Sequence, residues 1–69
     1  MIRNGLYRHF KGSEYRVIGT ATHSETEEEM VVYHAAAQPD QWFVRPAKMF
    51  GEMVDHKGSR VVRFQFMHP

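Results

Sequence analysis

Hydrophobic and polar residues alternate along most of this chain with the two-residue period of β-strands. Tyr7-Arg8-His9-Phe10 places Tyr7 and His9 on one side of a strand, with Arg8 and Phe10 on the other. After the turn signal Lys11-Gly12-Ser13, the run Tyr15 to Thr22 is rich in β-branched residues. Its Tyr15, Val17, Gly19 and Ala21 are expected to share a face, with Arg16, Thr20 and Thr22 opposite. Ile18 lies out of phase, and Gly19 beside it permits a bend or bulge at a barrel corner. Met30-Val31-Val32-Tyr33-His34 reads as the next strand. The S-x-x-E and T-x-x-E spacings of Ser24 to Glu29 are therefore read as a loop between antiparallel strands, not a helix start. Pro39 ends the segment after Ala35-Ala36-Ala37, and Trp42-Phe43-Val44-Arg45 forms a third strand.

Only one stretch changes period. Pro46 suits the opening of a short helix, Gly51 limits it to a turn or two, and Met49, Phe50 and Met53 fall on one side to cap a barrel end. Val54-Asp55 leads into the turn His56-Lys57-Gly58, and Val61 to Phe66 then alternates, with Val62, Phe64 and Phe66 on one face. Residues 1–69 thus predict a single all-β domain. The expected architecture is a small SH3-like bent barrel of four to five short antiparallel strands, with a short helix before the last hairpin.

Size and composition narrow the possibilities. A 69-residue chain has room for one small core, into which Phe10, Trp42, Phe43, Phe50 and Phe64 are expected to pack. No cysteine is present to add a disulfide or a thiolate metal site. The longest strongly apolar run is far too short to cross a bilayer, and the N-terminus lacks the apolar stretch of a secretory signal. A soluble cytoplasmic domain without membrane contact is the expectation. The net charge of +1 is unevenly spread, because Glu25, Glu27, Glu28 and Glu29 hold half of the eight acids. The remaining sequence carries a positive excess of five, enough to attract an anion but small beside a nucleic-acid-binding stripe.

His9, His23, Glu25 and His34 are the candidates for metal binding or acid–base chemistry, and His23 with Glu25 would share a strand face. No H-E-x-x-H or clustered ligand motif supports a metal, and no cofactor is expected. Ser24 lacks a nucleophile elbow, so Ser24 and Thr26 are expected to brace the glutamate turn by local hydrogen bonds. Tyr7, Arg8, His9, Phe10, Lys11, Trp42 and Arg45 form a basic-aromatic set. Such rings can stack on flat ligands, and arginine reads phosphate or carboxylate bidentately. Arg45 could alternatively stitch the helix to the Glu25 loop by an ion pair.

The phrases Tyr7 to Gly12, His23 to Thr26, Val31 to Tyr33, Trp42 to Phe50, and Arg63-Phe64 together resemble the bacterial domain of unknown function 1653 family. The resemblance runs from Gly5 to Phe64 and implies a compact β domain without an established activity, substrate or cofactor. It differs at Val62, where proline is common before the final R-F, and at Ala35-Ala36-Ala37, where bulkier residues are usual. It places His9, His23, Glu25, Thr26, Tyr33, Arg45 and Pro46 at signature positions.

On that basis His9, His23, Glu25 and Arg45 are expected to converge on one polar rim, joined by Tyr7 and Trp42 as ligand contacts. The expected role is a non-catalytic binding module for a peptide, an RNA segment or a small anionic ligand, in a monomer or a weak homodimer. One alternative is a small hydrolase or nucleotide-processing enzyme using His23 and Glu25 with Arg45 as anion clamp. A second is a structural or assembly domain joined edge to edge.

Overall fold

The nine-residue strand Glu14–Thr22 is the spine of the domain, and the pairing on either side of it explains most of the architecture. In this computed structural model, residues 2–69 are described. In chain order the strands are β1 (Gly5–His9), β2 (Glu14–Thr22), β3 (Glu29–Ala35), β4 (Trp42–Pro46), β5 (Met53–His56), β6 (Ser59–Val62) and β7 (Phe64–His68). The helix α1 (Ala47–Phe50) lies between β4 and β5. A five-stranded antiparallel sheet has the order β4-β3-β2-β1-β7, and β5 and β6 form a separate hairpin. The all-β class and the short helix ahead of the β5–β6 hairpin match the sequence expectation. The strands among the described residues number seven, not four or five, and the large sheet stays open between β4 and β7.

A bulge sets which residues face the core. Val17 pairs with Tyr33, Gly19 pairs with Val32, and Ile18 is the extra residue between them. Ile18 is out of phase for that reason. Beyond the bulge the faces exchange, so Thr20, not Gly19 or Ala21, stands opposite the buried Val31.

The inner face carries Tyr7, Val17, Val31, Tyr33 and Phe64, which close on Phe50 from α1 to make the core. Phe50 is fully buried because α1 folds back over this face directly after β4. Met49 and Met53 remain largely exposed, so the cap is one ring and not a three-residue stripe. Trp42 and Phe43 also stay outside the core, on an edge strand with nothing packed beyond it. Tyr7 and Tyr33 occupy the interior in their place.

The alternating run from Val61 to Phe66 is divided between two sheets. Val62 ends β6, Arg63 bends, and Phe64 starts β7 beside β1. The bend is fixed from both sides: the Arg63 N–H donates to the Glu52 carbonyl at 2.9 Å, and the Arg63 carbonyl accepts from Phe10 N–H at 3.0 Å.

Candidate functional site

Phe64 is the hub of the polar-aromatic cluster on the inner face. One side of its ring stacks on Phe50, with centroids 4.1 Å apart and planes 4° from parallel. Tyr15 and Tyr33 approach edge-on at 5.6 and 5.8 Å, and His9 does so at 4.9 Å. Arg45 adds a cation, with Cζ 5.7 Å from the Phe64 centroid. Its Nε–H donates to the Tyr33 hydroxyl at 3.4 Å, a long bond that leaves most of the guanidinium's donors unused. Among the described residues no carboxylate pairs with Arg45. Phe43, two residues earlier on the same face of β4, tilts against Tyr33 at 5.8 Å and is 40% exposed. Arg45 and Phe43 therefore lie on the same inner face of β4, against the rings of Phe64 and Tyr33 respectively.

The local field at His9, on the other side of this cluster, is positive. Burial, followed by Arg63, Lys11 and Arg45, lowers the pKa of His9 below its ordinary value of 6.5. Its Nδ1 accepts the Lys11 backbone N–H at 3.1 Å, so the neutral ring carries its proton on Nε2. Arg63 itself is paired with Glu52, through Nε at 3.1 Å and a second nitrogen at 2.6 Å on the same carboxylate oxygen. Lys11 and Arg45 have no carboxylate partner among the described residues, and of the two it is Arg45 that lies against the Phe64 ring.

The remaining predicted residues lie elsewhere. His23 and Glu25 sit in the β2–β3 loop, at the opposite end of β2 from the Tyr15 end that His9 touches. The nine residues between follow a contour of roughly 26 Å. His23 supports its loop: its Nδ1 accepts backbone N–H groups of Glu25 at 3.2 Å and Thr26 at 3.4 Å. Thr26 Oγ1 accepts the Glu28 N–H at 3.3 Å, which is the bracing role expected of it. The helix is stitched to this loop by Lys48 and Glu28 at 3.7 Å, not by Arg45. Tyr7 is a core residue whose hydroxyl donates to the Arg3 carbonyl at 2.8 Å. Trp42 is 64% exposed on the outer face and donates its indole N–H to the Pro39 carbonyl at 2.8 Å.

Of the six candidates, the structure thus brings His9 and Arg45 to one cluster around Phe64 and keeps His23 and Glu25 together in a separate loop. Tyr15, Phe43 and Phe64 complete their surroundings, and the sequence signalled them only as alternating aromatics. No group of three or more His, Cys, Asp or Glu is placed to hold a metal among the described residues. No helix there is long and apolar enough to cross a membrane.

None of the curated proteins matches the chain. A crystal structure of a DUF1653 protein from Bordetella bronchiseptica is similar to it, with 34% sequence identity and a TM-score of 0.81. That similarity covers 96% of this chain and 87% of the Bordetella protein. The family described as protein of unknown function DUF1653 matches over residues 5–66. With nearly the whole domain inside that match, and a shared fold at this identity, the chain belongs to the DUF1653 family.

Proposed function

We propose that the domain is a non-catalytic binding module for a small anionic ligand with a flat ring, held on the inner face at Arg45. The supporting observation is a guanidinium without a carboxylate partner among the described residues, set near Tyr33 and Phe64 with Phe43 on the same strand face. A phosphate or carboxylate would take the free donors of Arg45, and the planar part would rest on the exposed ring of Phe43. His9, neutral and donating from Nε2, would offer a further hydrogen bond without a charge of its own.

Amide NMR titration with inorganic phosphate, nucleoside monophosphates, short RNA and a peptide pool tests the reading. Shifts confined to residues around His9, Tyr33 and Arg45 are expected with the monophosphates. Arg45→Ala should weaken that binding at least tenfold, about 1.4 kcal/mol. It should cost only about 1 kcal/mol of stability, because it removes one long hydrogen bond and a ring contact. Arg45→Lys should recover little affinity, since a point charge does not reproduce the planar fork. Severe loss of stability in Arg45→Ala, with no anion binding by the parent chain, would instead identify Arg45 as a structural brace.

A further inference from the structure

β4 is one of the two edges of the five-stranded sheet, and its order of side chains is unusual for an exposed edge. On its outer face Trp42 and Val44 are 64% and 61% exposed, and Pro46 completes the row. None of the three carries a charge. Edge strands are ordinarily protected by shortness, lysines, prolines, inward charges or bulges; β4 has Arg45 on its inner face and Pro46 at its end, which leaves the outer positions Trp42 and Val44 unguarded. The outer row continues across the sheet into a shallow apolar groove of about 360 Å³, lined by Trp42, Val32, Ile18 and Gly19.

We infer that β4 pairs antiparallel with β4 of a second copy, centred on Val44. The strand is self-complementary about that residue. Val44 meets Val44 of the second copy, Trp42 lies opposite Pro46 of the second copy, and Phe43 lies opposite Arg45 of the second copy. The last pairing occurs twice by symmetry and sets each cation beside an exposed ring, as Arg45 already lies beside Phe64 within one chain. The two arginines are kept from facing each other directly. A partner strand of unrelated sequence would meet the apolar outer row equally well, but would not supply a ring for Arg45 and a proline for Trp42 in one register. Pairing joins two five-stranded sheets into one of ten strands and makes the two apolar outer rows continuous.

The test is light scattering coupled to size-exclusion chromatography over a wide range of protein concentration, without added anion. Association and anion binding are then read separately. The expected result is a rise in average mass from one chain toward two with increasing concentration. Val44→Lys, on an exposed outer position, should abolish that rise while the melting temperature is retained. Met67→Lys places the same charge at an exposed position on the other edge strand, β7, and should leave it intact. A chain that is monomeric throughout overturns the inference, as does one that dimerises in Val44→Lys or loses dimerisation in Met67→Lys. A chain that stays monomeric yet binds an unrelated strand-forming peptide at β4 overturns it in favour of a foreign partner.

Discussion

At His9, burial and three cations all oppose protonation, which gives the residue a definite pH signature. Its folded pKa is depressed, so between 6.5 and that lower value the unfolded chain binds a proton that the folded chain resists. The contribution of His9 to stability is therefore intact above pH 6.5 and is lost as the pH falls through the folded value, below which the loss levels off. Imidazole NMR should show His9 titrating below 6.5 in the folded protein. The acid-side loss of stability should be smaller in His9→Gln when unfolding is followed across the same pH range. Motif reading found this residue and Arg45 because both types carry charge or change it. It placed Tyr7 in the same site, whereas the ring of Tyr7 is needed in the interior. Polarity shows what a residue can do; the register of its strand decides whether it is exposed to do it.

Strand alternation located the elements well and failed where a register changed. Ile18 and Gly19 signalled the bulge, yet the exchange of faces beyond it followed only from the observed pairing of Thr20 with Val31. The continuous pattern from Val61 to Phe66 gave no sign that Arg63 divides it, since the break depends on Glu52, eleven residues away. Glu52→Gln keeps the size of the side chain and removes its charge. It should lower stability by about 1 kcal/mol, because the pair is partly exposed. Hydrogen exchange should quicken mainly in β5, β6 and the Arg63 bend, with β2 and β3 amides unchanged, since the hairpin is paired only within itself.

Considered whole, the molecule relies on a very small interior built largely of rings. Phe50 touches Tyr7, Tyr33 and Phe64 and is the buried residue of α1, with Ala47 packed against the core beside it. Phe50→Ala should cost about 3–5 kcal/mol. A domain of this size seldom holds more than about 3–5 kcal/mol in total. The variant should consequently be unfolded or nearly so at 25 °C, by circular dichroism and by collapse of amide chemical-shift dispersion. The all-β class was legible because turn residues and strand periods are local. The open sheet and the choice of interior rings were not, because both follow from which strands meet across the fold.

The position of Trp42 also decides what light can report about this protein. It is the sole tryptophan, and it lies on the free edge and not among the interior rings. At 64% exposure its emission should respond first to what covers β4, and less to repacking of the interior rings. Tyrosine signals from Tyr7, Tyr15 and Tyr33 follow folding, while indole fluorescence is left as a built-in gauge of whatever comes to rest against the strand.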